Sequence, residues 1–421
     1  MEKTIIEQKE TGLHAFWCST PQFKTARLTV NLVLPLVSAE TSSVRAMVPS
    51  LISRVTREYP DYSTFGRRLQ ELYGASLHSS VSSIGDNQVL TLSASGIANR
   101  YAYDGENIQR LLADILESIL FTPLVGADGL FPEDGFLQEQ RQLIETLEAE
   151  FNEKRIYAKN RCTELLFANE PAGVPRIGFR ETLAAVQRAD VNRAWEYLMQ
   201  NAKAFQFFIG DGADGSFAER FGKRLGDRNT LSTASAPHTA RSSVQRVTEE
   251  MPLAQSKLVM GFGLNSDPKK KLANRMLAIV FGGTPSSKLF LNVREKQSLC
   301  YYCSSRYEGM KNVIFVESGV ETKNLERTEE AVLAELAAIQ RGELSDEELL
   351  HAKLAVKNSC NAVADSAHAL ESWYFGRMMT DELQTPEDYA EDVMKITKED
   401  IVEAAQHAVL DTVYQLRGCA E

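Results

Sequence analysis

Histidine and carboxylate side chains at short spacings are where metal chemistry would be expected in this 421-residue chain. Glu348 precedes His351 by three residues, and Glu371 follows His368 by three. A zinc site on a helix needs a second histidine one turn away, and neither histidine has one. The pairs therefore leave open only a non-standard metal site that would combine His351, His368 and nearby glutamates.

A Cys-x-x-Cys motif, Cys300 and Cys303, is the clearest candidate for thiol chemistry. A redox motif of this kind normally opens a helix after a strand, whereas this one lies inside a β-like run. Because strand side chains alternate, two thiols three residues apart should point to opposite faces of a sheet. We therefore expect a structural role for both thiols. The other four cysteines are scattered, unlike a disulfide framework: Cys18, Cys162, Cys360 and Cys419.

Charge and hydropathy exclude several classes of partner. The net charge is −11, whereas nucleic-acid binding needs clustered lysine and arginine. No apolar run approaches the roughly 18–20 residues of a membrane span, and the first twenty residues lack the apolar core of a signal peptide. We therefore expect a cytoplasmic protein with neither a nucleic-acid nor a membrane partner.

An internal repeat organises the chain. Residues 67–97 and 288–320 both read as a helix, a turn, a strand, a polar hairpin and a second strand that ends in Ser-Gly. Gly96 matches Gly319 at an offset of 223 residues. This pattern predicts an α+β fold of two homologous domains, each an antiparallel sheet covered by helices on one face.

The expected domain boundaries follow from the repeat. Residues 1–221 form the first domain and residues 246–421 the second. Residues 222–245, rich in Ser, Thr and Ala, read as a linker. Each half carries a long amphipathic helical stretch, predicted over residues 136–166 and 346–372.

Three stretches resemble the pitrilysin/insulinase family of zinc metallopeptidases, which includes the mitochondrial processing peptidases. Residues 281–302 are similar to the family signature S-x-L-F-x-x-V-R-E-x-x-x-L-x-Y. Residues 171–211 resemble its P-x-G-x-P-x-x-G loop, and residues 344–359 its E-L-x-x-A-K helix. The resemblance spans nearly the whole chain and implies a LuxS/processing-peptidase-like fold.

The zinc motif of that family is missing. Active members carry His-x-x-Glu-His on the first long helix, here predicted over residues 41–55. The resemblance puts the motif on Ala46, Pro49 and Ser50, which offer neither zinc ligands nor a general base. Pro49 predicts that the helix is kinked or begins later. The position of the family's third ligand falls on Leu147, and the glutamates on either side of it read as a solvated helix face.

Arg294 and Tyr301 match a family pair that reaches the scissile peptide. A phenol can donate a hydrogen bond to a developing oxyanion, and a guanidinium can hold the substrate backbone. Spacing alone would favour a structural ion pair and a core aromatic. Just upstream, Gly282 and Gly283 would form either a flexible substrate loop or a helix C-cap.

The resemblance therefore implies a non-catalytic subunit of an insulinase-type metallopeptidase. Arg294 and Tyr301 would be contributed to the site of a zinc-bearing relative, and the two chains would bind a peptide substrate together. No cofactor is expected in this chain, and zinc is expected in the partner. One alternative is a stand-alone peptide-binding or scaffold protein, for example a homodimer. Another is an active zinc peptidase with a non-standard metal site.

Overall fold

A computed structural model describes residues 12–226, 228, 230–265 and 270–419, and the backbone of residues 2–8. The strands are β1 (Glu2–Gln8), β2 (Leu13–Ser19), β3 (Thr25–Pro35), β4 (Ser76–Ile84), β5 (Asn87–Ile97), β6 (Lys203–Gly210), β7 (Gln245–Pro252), β8 (Ser256–Leu264), β9 (Cys300–Glu308), β10 (Val313–Val320) and β11 (Ala408–Cys419). The helices are α1 (Ala39–Arg54), α2 (Tyr62–Glu71), α3 (Ile108–Phe121), α4 (Glu133–Asn152), α5 (Lys154–Leu166), α6 (Arg180–Ala184), α7 (Arg188–Asn201), α8 (Ser216–Leu225), α9 (Lys271–Ala278), α10 (Leu325–Gln340), α11 (Asp346–Val363), α12 (Ala367–Met379), α13 (Pro386–Lys395) and α14 (Lys398–Gln406). Two π-helical segments span Ile279–Gly283 and Leu289–Lys296.

The chain folds into two compact units. Unit 1 comprises Met1–Leu147, Val174–Ala234 and Val363–Leu383. Unit 2 comprises Glu148–Gly173, Ser235–Ala362 and Gln384–Glu421. Each unit thus takes most of its residues from one half of the chain and one helical segment from the other half.

The two sheets share one topology. The sheet of unit 1 has the order β1-β2-β6-β3-β5-β4, and the sheet of unit 2 has the order β7-β11-β8-β10-β9. If β1 is left aside, the two orders match strand for strand. In unit 1, β6 is parallel to β2 and antiparallel to β3. In unit 2, β11 is likewise parallel to β7 and antiparallel to β8. The α+β fold class and its duplication are therefore confirmed.

Each sheet is mixed, where the sequence predicted purely antiparallel sheets. β2 and β3 run in opposite directions, and β6 lies between them. A strand inserted between two oppositely directed strands must be parallel to one of them. The same insertion of β11 between β7 and β8 produces the parallel pair in unit 2.

Helices cover both faces of the sheet in unit 1. Helices α1, α3 and α7 pack on one face, where Met47 and Leu116 join the core with strand residues such as Val30. On the other face, α12 packs Phe375 against Phe205, with ring centroids 5.3 Å apart. The sequence predicted helices on one face only, because an amphipathic pattern does not reveal which sheet a helix covers.

The sheet of unit 2 is enclosed in the same way. On one face, α5 buries Cys162 and Leu166 against Val259 and Phe315. On the other face lie α9, α10 and the two π-helical segments, where the ring of Phe281 packs edge-on to Phe262. In each unit, one face of the sheet is covered by a helix from the opposite half of the chain, α12 in unit 1 and α5 in unit 2.

The segment predicted as a linker is anchored in unit 2. His238 is buried, its Nδ1 lies 2.5 Å from Glu170 and its Nε2 3.3 Å from Asp411. The guanidinium of Arg241 donates a hydrogen bond to Asp411 and two more to the carbonyls at the end of α5. The end of this segment is therefore held by a buried ionic network.

In the part of the chain that the structure describes, none of the helices combines the length and the apolarity that a membrane span requires.

Candidate functional site

Helix α1 carries Ala46, Pro49 and Ser50, the positions on which the resemblance puts the zinc motif. It begins after Ser38, whose hydroxyl accepts a hydrogen bond from the backbone N–H of Thr41 at 3.3 Å. It then continues through Pro49 to Arg54, so the prediction of a later start is wrong. The Ser38 hydroxyl thus provides a hydrogen-bond acceptor for a backbone N–H of the first turn. The buried face of the helix packs against the core, and this packing compensates for the hydrogen bond that Pro49 cannot donate. Ala46 and Pro49 are buried, and Ser50 is half-buried.

A polar cavity of about 660 Å³ in unit 1 opens at Ser50. Arg54, one helical turn further on, reaches into it. Its guanidinium donates hydrogen bonds to Glu139 at 3.2 Å and to Gln138 at 2.7 Å, both on α4. The cavity is lined by Ser50, Ser53, Arg54, Tyr62, Ser79, Gln138, Glu139, Gln142, Leu143 and Thr146.

This donor set does not fit zinc. The three motif positions offer a methyl group, a proline ring and one hydroxyl, and the positive charge of Arg54 already faces the nearest carboxylate. On α4, Leu147 packs against the core of unit 1, while Glu145 and Glu148 are exposed, as expected for a solvated face.

The histidines do not rebuild a metal site in the described ranges. His351 is exposed on α11, with Nε2 3.9 Å from Glu347, and His368 is exposed on α12. Within residues 12–226, 228, 230–265 and 270–419, no three His, Cys, Asp or Glu side chains are placed to hold a metal ion.

Arg294 lies in the second π-helical segment of unit 2. The wider turn of a π-helix is uncommon and occurs often at functional sites. The guanidinium packs over the ring of Phe290, 4.5 Å from its centroid, and its Nε lies 3.6 Å from Glu295. The Arg294 side chain keeps 38% of its surface exposed, so this contact does not bury the charge.

Tyr301 is the extra residue of a β-bulge at the start of β9. Cys300 pairs with Val320 and Tyr302 with Gly319, so Tyr301 has no partner on β10. A bulge bends a strand and redirects a side chain, and bulges are frequent beside active sites. Tyr301 is 60% exposed, so it is not the core aromatic that spacing alone would have suggested.

The same bulge brings two thiols together. Because it takes up one residue, Cys300 and Cys303 lie opposite Val320 and Ser318, two positions apart on one face. The prediction that they point to opposite faces is therefore wrong. A hydrogen bond with Cys303 lowers the pKa of the Cys300 thiol to about 7, against the effect of burial and with help from Ser318 and the charge of Arg294.

Gly282 and Gly283 end the first π-helical segment, and the backbone of Thr284 after them is extended. A Cβ at position 282 would lie 2.6 Å from the backbone nitrogen of Ser305 on β9. Gly282 thus permits a close approach of the segment to the sheet, while Gly283 is exposed.

The structure places the predicted residues in two groups. Ala46, Pro49 and Ser50 lie in unit 1. Arg294 and Tyr301 lie in unit 2, and Arg294 is close enough to influence the charge of Cys300, the residue before Tyr301. Sequence reasoning missed Arg54 and Glu139, although Arg54 follows Ser50 by four residues and so shares its helix face.

Part of the chain matches a known family model, and the whole chain has similar relatives. Residues 216–356 match the family model described as "Peptidase M16 inactive domain". The probable inactive metalloprotease YmfF of Bacillus subtilis (strain 168) is 26% identical over 98% of this chain and 97% of its own length. The uncharacterized zinc protease YmxG of the same organism is 22% identical over 61% of this chain and 62% of its own length.

Solved structures share the fold over the full length. A conserved protein from Enterococcus faecalis V583 superposes with a TM-score of 0.90 at 27% identity, covering 100% of this chain and 99% of that one. A peptidase M16 inactive domain from Pseudomonas fluorescens gives a TM-score of 0.79 at 16% identity, with the same coverage. The predicted resemblance is thus confirmed, since residues 216–356 match the M16 inactive domain and the whole chain is similar to a probable inactive metalloprotease.

Proposed function

We propose that this chain is a non-catalytic, peptide-binding subunit that pairs with a zinc-bearing relative and contributes Arg294 and Tyr301 to a shared peptidase site. The bulge at Tyr301 is the observation that carries the proposal. It interrupts the ladder between β9 and β10 and exposes a large aromatic side chain. A purely structural tyrosine would need neither feature.

The chemistry of the pair suits a supporting role. When a peptide carbonyl is attacked, negative charge develops on its oxygen, and an exposed phenol O–H can donate a hydrogen bond to it. The half-exposed guanidinium of Arg294 can donate to substrate carbonyls or to a terminal carboxylate. Neither residue supplies the nucleophile, which explains the need for a zinc-bearing partner in this proposal.

Peptide binding is supported by the cavity in unit 1. Its hydroxyl and amide side chains offer donors and acceptors to a peptide backbone, and the pairing of Arg54 with Glu139 leaves little net charge to repel a substrate of either sign. Such a lining suits a chain of amides better than a small apolar ligand.

Peptide hydrolysis by a mixture of this chain with a zinc-bearing M16 relative would test the proposal. The mixture should cleave peptides and this chain alone should not. Arg294→Ala and Tyr301→Phe should each lower kcat of the mixture by about 10²–10³-fold, as removal of one oxyanion donor does. Lys296→Ala, an exposed residue of the same segment, is the matched control and should leave kcat unchanged. Full activity with both Arg294→Ala and Tyr301→Phe would disprove the shared site.

A stand-alone peptide-binding protein is the second candidate, because residues of this chain alone line the cavity in unit 1. It predicts a homodimer or monomer that binds peptides without any zinc-bearing chain. Light scattering of the purified protein, combined with peptide titration, separates this candidate from the first. Metal analysis of protein purified without chelators tests the third possibility, since stoichiometric zinc would indicate a non-standard metal site.

A further inference from the structure

Cys300 and Cys303 are neighbouring thiols on one face of β9, and the proposed role of Arg294 and Tyr301 does not use them. The two thiols are hydrogen bonded to each other on one face of β9. The bulge places them opposite Val320 and Ser318, so both side chains leave the same face of the strand. A disulfide needs Cβ atoms about 3.5–4.5 Å apart, so its formation requires β9 to contract at the bulge, where the ladder with β10 is already interrupted.

The surroundings of the pair favour reaction at Cys300. β9 is an edge strand of its sheet, and Cys300 is its first residue, with 9% of its surface exposed. The guanidinium of Arg294 stabilises a thiolate there. Cys303 is more deeply buried, and its contact with Cys300 raises the pKa of its own thiol. Cys300 is thus suited to attack an external disulfide, and Cys303 is suited to resolve the mixed disulfide that results.

We propose that Cys300 and Cys303 form a redox-active dithiol that low-molecular-weight disulfides, such as oxidised glutathione, convert into an intramolecular disulfide. In the first step, the Cys300 thiolate attacks one sulfur of the oxidant, and one glutathione thiolate leaves. In the second step, the sulfur of Cys303 attacks Cys300 in the mixed disulfide. The second glutathione leaves and takes up the proton of Cys303. Two cysteine thiols are oxidised and one glutathione disulfide is reduced to two thiols.

The remaining cysteines provide an internal comparison. Burial against unit 2's core raises the pKa of the Cys162 thiol far above its ordinary value. Cys419, by contrast, is exposed and can report that the oxidant is active. Cys300 should therefore react on the order of tenfold or more faster than Cys162.

Mass spectrometry of the intact chain treated with oxidised glutathione tests this proposal without any variant. After alkylation of free thiols, trypsin releases residues 297–306, which contain Cys300 and Cys303 and no other cysteine. This peptide should lose two hydrogens and escape alkylation, and dithiothreitol should restore both thiols. The proposal is overturned if the peptide keeps two free thiols under conditions that glutathionylate Cys419.

Single variants test the order of the two steps. Cys303→Ser should trap the mixed disulfide of glutathione on Cys300, and Cys300→Ser should leave Cys303 unmodified. Cys360→Ser, in α11, is the matched control and should form the intramolecular disulfide at the wild-type rate. Glutathionylation of Cys303 in the Cys300→Ser protein as fast as that of Cys300 in the Cys303→Ser protein would contradict the assigned roles.

Discussion

The guanidinium of Arg54 donates a hydrogen bond to the carboxylate of Glu139 across 3.2 Å, in the cavity that opens at Ser50. Both side chains are largely buried, with 19% and 10% of their surfaces exposed. A cation provided by the chain itself therefore faces the carboxylate in this cavity.

Removal of Arg54 should destabilise the protein. Arg54→Met leaves the buried carboxylate of Glu139 without its charged donor, at a cost of about 1–3 kcal/mol in the free energy of unfolding. Urea denaturation measures this change. Arg68→Met breaks an exposed pair with Glu71 and should cost less than about 1 kcal/mol. The double variant Arg54→Met/Glu139→Gln should cost less than the sum of the two single variants, and strict additivity would argue against a direct interaction.

Gly282 should not tolerate a side chain. In Gly282→Ala, the new Cβ would lie 2.6 Å from the backbone nitrogen of Ser305, so the π-helical segment or β9 must shift. We expect a loss of about 1–3 kcal/mol in thermal or urea unfolding. Gly376→Ala in α12 is the control, since nothing lies within 4 Å of its Cβ, and it should be neutral or slightly stabilising. Equal effects of the two substitutions would refute the close approach.

Arg294 and Tyr301 should matter little for stability. Both side chains are substantially exposed, so Arg294→Ala and Tyr301→Phe should each change the free energy of unfolding by no more than about 0.5 kcal/mol. Urea melts of the two variants check this. A loss above about 2 kcal/mol would instead support the structural ion pair and core aromatic that spacing alone favoured.

Protonation of Asp411 should lower the free energy of unfolding at acid pH. Burial acts to raise the pKa of this carboxyl, but hydrogen bonds from the backbone of Arg241, from Thr412 and from His238, together with the charge of Arg241, lower it overall. A lowered folded-state pKa contributes stability that is present above the unfolded value of about 3.9 and is lost as the pH falls through the folded value. Asp411→Asn should reduce the free energy of unfolding at pH 7. It should also weaken the fall of that free energy with decreasing pH, measured by urea melts from pH 7 to pH 3. If the fall is unchanged in the variant, other carboxyl groups cause it.

Alkylation of Cys300 should have its midpoint near neutral pH. The hydrogen bond from Cys303 is the largest influence that lowers the pKa of Cys300 to about 7. Cys303→Ala, which removes this donor, should therefore move the midpoint of the iodoacetamide rate to higher pH, whereas Cys360→Ala should not. Peptide mapping of residues 297–306 across pH 5–10 measures both rates, and an ordinary thiol profile in the wild-type chain would contradict the assigned environment.

The repeat predicted much of the fold because period-two and period-3.6 patterns report which residues are buried. It identified the paired strands and hairpins of both halves. The stretches 136–166 and 346–372 were predicted as long helices, and each contains a break, after Asn152 and after Val363. Each break lies close to the point where the chain passes from one unit to the other, and amphipathic periodicity carries no information about which sheet a helix will meet.

The candidate site was predictable where side-chain type matters and unpredictable where register matters. The residue types of Ala46, Pro49 and Ser50 show directly that these three positions offer neither an imidazole nor a carboxylate. The bulge at Tyr301 could not, since one extra residue in a ladder depends on the partner strand. That single residue reversed the predicted orientation of Cys303 relative to Cys300.

The reciprocal position of α5 and α12 has a consequence for either half of the chain on its own. Each half contains a helix that completes the other half's sheet. A single half expressed alone would therefore leave one face of its sheet uncovered, and it should be unstable or associate with a second copy.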